Sequence, residues 1–530
     1  MDPAAIITVL AAATLLAIAA VACTAGPDLT PARFRVLVAL TIAVAALVRA
    51  PALRVGLPYL GYVDEGHVLH RVTHMLASRT WDPGWYHYPS LLIEAIALAA
   101  AVSRMTPAHP DAVYYDIVEP TRLIVIGRLI VLACSLATVA LVIALGRRLL
   151  GRRVAVMAGV LTAMLPALVG RGAIVIVDTA SAFLVLATLC VTLRLEETAG
   201  NAAAAVGAGT AWGLAIAAKY TVAGVGVAPL LVLATSRETW AKRARLAALL
   251  AGGVLVGLLV GVPALFLRTG QVVRALRSES NFYANVPTAV GCLRAALDPL
   301  EVGPLLLALA VPGVGLLVRL PRSRVITLGW LLFATGLLAM LLQYRFQPFR
   351  NVLPVLPFLC IAAAAALAAG ARGIDPRRAD TIAVLAATGV ALAMLVTGVK
   401  DHVNWATRTT DTRVVARRWL ERNLRPDDRV LVMEGLAFLP SELAYLPTAA
   451  KVAGGPMVAR ALATGDFTHV VVGVPEARTA VSAAWERDLR QRPVLLRVGH
   501  GPFPAQPGLW RGNDLAIVVY GGAPAAAPPG

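Results

Sequence analysis

The sequence predicts a multi-pass α-helical membrane protein of about 12 spans with a large first outer loop, followed by a small C-terminal α/β domain outside the membrane. Of its 530 residues, 58% are hydrophobic and only 15% are charged, and the mean hydropathy is +0.74. Soluble proteins carry about 25% charged residues. The second observation is a series of apolar runs close to the length, about 17–25 residues, that crosses a bilayer. Together these features exclude a soluble enzyme, a disordered chain and a fibrous protein.

The predicted spans follow one another as far as residue 399. They are 5–25, 34–50, 122–145, 154–170, 178–194, 203–218, 221–235, 246–267, 299–318, 325–343, 351–371 and 381–399. No Lys or Arg precedes the first run, so it predicts a retained helix rather than a signal peptide. A further run at 90–102 is too short to span and predicts a helix at the membrane interface.

The positive charge is distributed as membrane topology requires. The formal net charge is +18, and the Arg and Lys clusters lie between alternate spans, around 147–153, 237–245, 319–324 and 372–378. The positive-inside rule makes these loops cytoplasmic, so the loop 51–121 and the tail face outward. We found no aromatic-rich basic face, and we therefore expect no nucleic-acid partner.

The composition changes after residue 399. We predict a membrane domain at 1–399, an extracytoplasmic α/β domain at 400–520 and a disordered tail at 521–530. Short apolar runs at Val430–Met433, Val470–Val474 and Leu515–Tyr520 predict buried strands. Asp411–Leu424 has the pattern of an amphipathic helix.

Two adjacent carboxylates, Asp64 and Glu65, follow the second predicted span. A carboxylate at a fixed distance from the membrane surface can act as the general base that deprotonates an acceptor hydroxyl. The structural alternative is that Asp64 is the N-cap of an amphipathic helix. In this topology the catalytic interpretation is favoured.

The first outer loop also carries histidines and aromatic residues. His67, His70 and His74 share one helix face, which suits either a transition-metal site or the polar face of an interfacial helix. Tyr86, His87 and Tyr88 follow, in a segment whose rings could stack on a sugar or form an interfacial belt. The five cysteines show no spacing that suggests a disulfide or a metal knuckle.

Four further charged residues lie at the predicted outer ends of spans. Asp178 is costly there unless it faces a polar cavity or pairs with a cation, for which Arg171 is the nearest candidate. Lys219 could hold a phosphate, or could extend to the interface as many lysines at helix ends do. Arg345 and Arg350 could clamp a phosphate or diphosphate, or could be ordinary flanking charges. Pro354 and Pro357 predict a kinked span that opens a polar cavity beside them.

Taken in order, these segments resemble the GT-C superfamily of integral-membrane glycosyltransferases, in particular the bacterial branch akin to protein O-mannosyltransferases and aminoarabinose transferases. The segments that carry the resemblance are Asp64-Glu65, Tyr86 to Ser90, Asp178, Gly213 to Tyr220, Arg350 to Pro357 and Asp411 to Leu420. The chain departs from the pattern in its extra first span, in the single Pro89 and in Asn351, where relatives often have Tyr.

The resemblance implies an inverting transfer of a sugar from a polyprenyl phosphate to an acceptor at the outer face of the cytoplasmic membrane. Asp64 would be the base, Glu65 and Asp178 would orient hydroxyls, and Lys219 and Arg350, with Arg345, would bind the lipid phosphate. No cofactor is required, and a divalent metal is left open. The sequence does not name the sugar or the acceptor. A transporter of lipid-linked sugars and a noncatalytic membrane scaffold are the alternative functions.

Overall fold

The computed structural model describes residues 2–24, 29–60, 62–104, 113–114, 117–118, 121–198, 200–285, 291–407, 411–433, 449–452, 467–474, 487, 489–499 and 516–521. Most of these residues are helical. The α-helices, in chain order, are α1 (Pro3–Thr24), α2 (Pro31–Arg49), α3 (Val63–Ser78), α4 (Leu91–Val102), α5 (Thr121–Leu150), α6 (Arg152–Met164), α7 (Pro166–Gly170), α8 (Val177–Glu197), α9 (Ala202–Ala218), α10 (Val227–Thr235), α11 (Trp240–Gly261), α12 (Ala264–Leu267), α13 (Thr269–Asn285), α14 (Cys292–Ala296), α15 (Pro304–Arg319), α16 (Pro321–Leu341), α17 (Leu356–Ile374), α18 (Ala379–Met394), α19 (Lys400–Thr407) and α20 (Thr412–Asn423).

Shorter elements complete the described chain. Three 3₁₀ segments, Ala50–Arg54, Tyr220–Gly226 and Phe349–Val355, and one π-helical turn, Leu395–Val399, adjoin the α-helices. The strands are β1 (Val113–Tyr114), β2 (Ile117–Val118), β3 (Val430–Met433), β4 (Ala449–Val452), β5 (His469–Gly473), β6 (Val494–Val498) and β7 (Ile517–Gly521).

The predicted multi-pass helical fold is confirmed. Within the described residues, eight helical stretches are long and apolar enough to cross a membrane; they comprise or begin with α1, α2, α5, α8, α11, α16, the 3₁₀ segment before α17, and α18. The other four predicted spans are also helical but shorter, and they correspond to α6 with α7, α9, the 3₁₀ segment with α10, and α15. The run at 90–102 forms the 12-residue α4.

The break between α6 and α7 shows why a predicted span is divided. Pro166 has no backbone N–H, so it cannot continue the hydrogen bonding of α6. The guanidinium of Arg49, which is 1% exposed, donates to the carbonyl oxygens of Ala163 at 2.8 Å and Thr162 at 3.3 Å. A buried cation thereby supplies donors to backbone carbonyls at the helix break.

The chain forms two compact units. The first contains residues 1–53, 80–99 and 127–407, and the second contains 54–79, 100–126 and 408–530. The apolar core of the first unit is built from helices between α1 and α19. The domain boundaries predicted from the sequence, at residues 399 and 520, remain predictions.

In the first unit, α9 and α11 pack backbone against backbone. A Cβ placed on Gly253 would run into the carbonyl oxygen of Val206, and one on Gly213 into that of Val254. Small residues at such a contact allow two membrane helices to approach closely. Asn201 caps the start of α9 by accepting from the backbone N–H of Ala203 at 2.8 Å. This packing fixes the end of α9, directly before Lys219.

The second unit contains a small C-terminal α/β fold, as predicted. Its five strands have the order β4-β3-β5-β7-β6; β3 is parallel to β4 and β5, whereas β7 is antiparallel to β5 and β6. The three predicted strands and the amphipathic helix, α20, are confirmed, with Asp411 as the helix N-cap. Gly521 ends β7, and the rest of the predicted disordered tail, 522–530, lies outside the described residues.

Candidate functional site

A cavity of about 170 Å³ lies in the first unit, and several sequence-predicted site residues line it. Five segments form its walls: the loop after Tyr86, the start of α8, the chain after α9, one face of α13, and the chain from the end of α16 to Asn351. Asp178, Lys219, Arg350, His87 and Tyr88 all contribute to the lining. Residues far apart in sequence therefore meet at one place.

The charged residues of the cavity are placed by helix ends. Asp178 lies in the first turn of α8, where a carboxylate is favoured by the helix dipole. Lys219 follows the last residue of α9 in extended conformation, with φ −157° and ψ 120°. Arg350 and Asn351 lie in the 3₁₀ segment before α17, a stretch that contains Pro354. The chain is therefore 3₁₀ rather than α-helical at this point, and the predicted kink stays a prediction.

These residues form one buried polar cluster. The ammonium of Lys219 contacts Oδ1 of Asp178 and donates to Oδ1 of Asn351 at 2.7 Å. Nε of Arg350 lies 3.9 Å from Oδ2 of Asp178. All four residues are buried, with exposed fractions of 2–8%. Buried charges are stable only when they are paired and hydrogen-bonded, and here two cations share one carboxylate.

The pairing of Asp178 differs from the structural alternative that the sequence suggested. Arg171 forms a bidentate ion pair with Glu301, with N–O distances of 2.5 and 2.6 Å. Asp178 instead pairs with Lys219. The structural alternative paired Asp178 with Arg171, the nearest arginine in the sequence. The fold instead brings Lys219, at the end of α9, to Asp178, at the start of α8.

A second polar contact lies at the cavity wall. Nδ1 of His87 lies 3.1 Å from Oε2 of Glu279 on α13, and the Trp85 ring lies 5.2 Å from the imidazole. Leu276, Glu279, Ser280 and Tyr283 are spaced along one face of α13, and this face lines the cavity. Since α13 is amphipathic rather than a span, the sequence reasoning did not assign it to the site.

Tyr86 lies next to these residues but supports the loop instead of lining the cavity. Its hydroxyl donates to Oδ1 of Asp82 at 2.8 Å, and its ring packs against Ala264 and Val272. Burial, together with the Asp82 carboxylate, raises the pKa of Tyr86 to about 12. The phenol therefore stays protonated and continues to donate at neutral pH.

Arg345 and Arg350 differ in position. Arg350 lines the cavity, whereas the Arg345 side chain is exposed and is not among the described lining residues. The structure brings one of the two predicted guanidinia to the cavity, and the phosphate role of Arg345 stays a prediction.

Asp64 and Glu65 belong to the second unit. Both are buried, at 7% and 0% exposed, in the first turn of α3. The N-cap of this helix is Tyr62, so the alternative that Asp64 is the N-cap is wrong. The helix begins one residue before the aspartate, and the carboxylate is placed inside its first turn.

The predicted histidine face of the first outer loop lies on α3, which contains His67, His70 and His74. Among the described residues, no group of three or more His, Cys, Asp or Glu side chains is arranged to hold a metal ion. The metal interpretation of these histidines stays a prediction.

Several lining residues were missed by the sequence reasoning. Glu279, Tyr283, Tyr344 and Thr221 received no role, although they face the same cavity as Lys219. The available signal was weak: Glu279 is the single acidic residue in α13, and Tyr283 lies four residues after it. Nothing in the local pattern indicates which distant segment α13 contacts.

The chain has the GT-C fold, and the predicted resemblance is confirmed at the level of the fold. Residues 123–267, about a quarter of the chain, match the family described as dolichyl-phosphate-mannose-protein mannosyltransferase. No curated protein matches the chain by sequence.

Solved structures show the same fold over most of the chain. ArnT from Cupriavidus metallidurans in the apo state is 17% identical, with a TM-score of 0.55, and the match covers 91% of this chain and 97% of that one. ArnT bound to undecaprenyl phosphate is 15% identical, with a TM-score of 0.56 and coverage of 93% and 99%. The Archaeoglobus fulgidus oligosaccharyltransferase tethered to an acceptor peptide is 13% identical, with a TM-score of 0.50 and coverage of 93% and 74%.

Proposed function

We propose that this protein is a glycosyltransferase that moves a sugar from a polyprenyl-phosphate donor to an acceptor outside the cytoplasmic membrane, with Asp64 as the general base. The observation that carries the proposal is the cluster of Lys219, Arg350 and Asp178 at the cavity. Its two cations exceed its one carboxylate, so the cluster suits an anionic group.

A phosphate is the anion that fits this chemistry. When a sugar leaves a polyprenyl phosphate diester, negative charge develops on the phosphate oxygens, and positioned cations stabilise that charge most in the transition state. Arg350 supplies a planar donor fork and Lys219 a compact ammonium, both held by Asp178. The ArnT structure with undecaprenyl phosphate supports a lipid phosphate as the ligand.

The proposed base is Asp64. A general base needs a carboxylate within about 2.6–3.2 Å of the hydroxyl proton that it removes. Asp64 is a buried carboxylate at a helix start, with Glu65 beside it to orient the acceptor. In this proposal, His87 and Tyr88 contact the bound substrate from the cavity wall, and the site faces the outer side of the membrane.

The test compares envelope glycans by mass spectrometry in a deletion strain that carries wild-type protein, Asp64→Asn or Asp401→Asn. Asp401 is an exposed acid and serves as the matched control. We expect the wild type and Asp401→Asn to restore a sugar that the deletion removes, and Asp64→Asn to leave it missing. Purified Asp64→Asn should still bind undecaprenyl phosphate, which separates loss of the base from loss of folding.

Other outcomes would select the alternative functions. Full restoration by Asp64→Asn would contradict the base assignment. Movement of a lipid-linked sugar across proteoliposomes without a transfer product would favour a transporter. Envelope glycans that are unchanged by the deletion would favour the noncatalytic scaffold.

A further inference from the structure

Arg171 and Glu301 form an ion pair to which the proposed function assigns no role. Their side chains are 16% and 17% exposed, and N–O distances of 2.5 and 2.6 Å make the pair bidentate. The backbone carbonyl oxygen of Glu301 also accepts from the N–H of Ala167 at 2.8 Å. Ala167 lies in the first turn of α7, after the break at Pro166. Glu301 therefore contacts the α7 region through its backbone and through its side chain.

The backbone of Arg171 is joined to the first turn of α8. Oγ1 of Thr179 donates to the carbonyl oxygen of Arg171 at 2.9 Å. Thr179 is 3% exposed and directly follows Asp178, the carboxylate that contacts Lys219. Because Asp178 and Thr179 are adjacent in one helical turn, the hydrogen bond to Arg171 restricts the position of both residues.

The side chain of Arg171 reaches the segment that contains Arg350. Its Cζ lies 5.9 Å from the centre of the Phe349 ring, within the range of a cation–π contact. Phe349 is 5% exposed and directly precedes Arg350 in the same 3₁₀ segment. Two hydrogen bonds to Glu301 hold the guanidinium in one orientation, so the ring packs beside a fixed cation.

The direct contact between the two ends of this chain of interactions is long. Nε of Arg350 lies 3.9 Å from Oδ2 of Asp178, so this contact alone constrains their relative position only weakly. We propose that Arg171 is a positioning residue for the phosphate site. Its backbone is fixed to the turn that contains Asp178, and its side chain holds Arg350 through Phe349. The proposal rests on the proposed function and adds to it a residue that is not among the described lining residues of the cavity.

Two variants test the side chain of Arg171. Arg171→Lys keeps the charge and the backbone carbonyl, but a lysine cannot reproduce the bidentate contact with Glu301 that fixes the cation beside Phe349. Phe349→Leu removes the ring and leaves the ion pair intact. The matched control is Arg153→Lys on α6, because the Arg153 side chain is 12% exposed and pairs with Asp380 on α18.

The experiment measures the affinity of the purified full-length protein in nanodiscs for undecaprenyl phosphate and for undecaprenol, which has the same isoprenoid chain without the phosphate. We expect Arg171→Lys and Phe349→Leu each to weaken binding of undecaprenyl phosphate by about 3- to 10-fold, the usual size of one pairwise coupling. Neither variant should change the affinity for undecaprenol, because a displaced Arg350 affects only the phosphate. Arg153→Lys should match the wild type for both lipids.

A double-mutant cycle tests whether Arg171 acts through Arg350. On an Arg350→Met background, Arg171→Lys should lower the affinity for undecaprenyl phosphate by less than about 2-fold, since the group that it positions is absent. The same loss on both backgrounds would show that Arg171 acts independently of Arg350 and would overturn the proposal.

The remaining contrary results are also distinguishable. If Arg171→Lys and Phe349→Leu bound undecaprenyl phosphate as tightly as Arg153→Lys, or lost affinity equally for undecaprenol, the positioning role would be overturned and the proposed function would stand. If Arg171→Lys did not fold, Phe349→Leu would decide by the same criteria. If wild-type protein did not distinguish undecaprenyl phosphate from undecaprenol, the proposed phosphate site and the positioning role would fail together.

Discussion

Each unit of the molecule buries an arginine and an aspartate, but the two ion pairs have different surroundings. In the second unit, Arg413 is fully buried and donates to both carboxylate oxygens of Asp411, at 2.9 and 2.7 Å. The same guanidinium donates to the carbonyl oxygen of Leu60 at 2.9 Å and lies over the Tyr59 ring. In the first unit, Arg350 lies 3.9 Å from Asp178 and lines a cavity.

Under the proposed function, the difference separates a structural ion pair from a group that binds a ligand. Nε and Nη2 of Arg413 donate to oxygen atoms of the protein, so these two nitrogens are already engaged. Lys219 and Arg350 share one carboxylate beside open volume, so a phosphate can add to their contacts. Burial of a charge by itself therefore does not identify a candidate site; a cavity beside the charge is needed as well.

The largest expected effect is on stability, from Arg413→Met. Removing one partner of a buried ion pair leaves the other charge uncompensated, which costs about 3–5 kcal/mol. We expect faster amide hydrogen exchange in β3, β5 and β7 when the full-length protein is compared in nanodiscs. The control is Arg418→Met, on the exposed face of the same helix, with an effect below about 0.5 kcal/mol. Equal protection from amide exchange in Arg413→Met and Arg418→Met would show that the ion pair between Arg413 and Asp411 does not stabilise the second unit.

The next effect is on ligand binding, from Lys219→Met. In the proposed function Lys219 faces the developing phosphate charge, so its loss should reduce activity about 100-fold or more. Affinity for undecaprenyl phosphate should also fall. Hydrogen exchange in the first unit of Lys219→Met should change less than hydrogen exchange in the second unit of Arg413→Met. Lys242→Met, at an exposed i,i+4 pair with Glu238, is the matched control. If Lys219→Met kept full transfer and lipid affinity, the cavity cluster would be structural as well.

The smallest expected effect is a pH dependence in the second unit. Burial lowers the pKa of His469 below its usual 6.5, and the carboxylate of Asp428, 3.7 Å away, offsets only part of that effect. The folded state then binds fewer protons than the unfolded state. The free energy of unfolding should therefore fall as the pH drops through about 6.5.

Hydrogen exchange at β5 between about pH 7.5 and pH 5.5, corrected for intrinsic exchange rates, measures this dependence. His469→Gln should flatten it, because glutamine does not titrate. An unchanged dependence in that variant would show that another group is responsible.

Much of the fold could be predicted from the sequence, because hydrophobic run length and Arg placement are local signals. All twelve predicted spans are helical, and α20 begins at the predicted Asp411 cap. The edge strands β4 and β6 were not predicted, since their residues mix charged and apolar side chains without a clear alternation. Strand pairing at the edge of a sheet is decided by the neighbour rather than by the segment itself.

The sequence by itself determined where membrane helices form and which residue types end them, because burying apolar surface and satisfying backbone hydrogen bonds are requirements that each segment meets alone. Only the tertiary structure decided which charges pair. Lys219 reaches Asp178, 41 positions away, and Asn351, 132 positions away, whereas Arg171 reaches Glu301. Ion pairing depends on distances of a few ångströms, and those distances are set by how α8, α9 and the segment before α17 pack together.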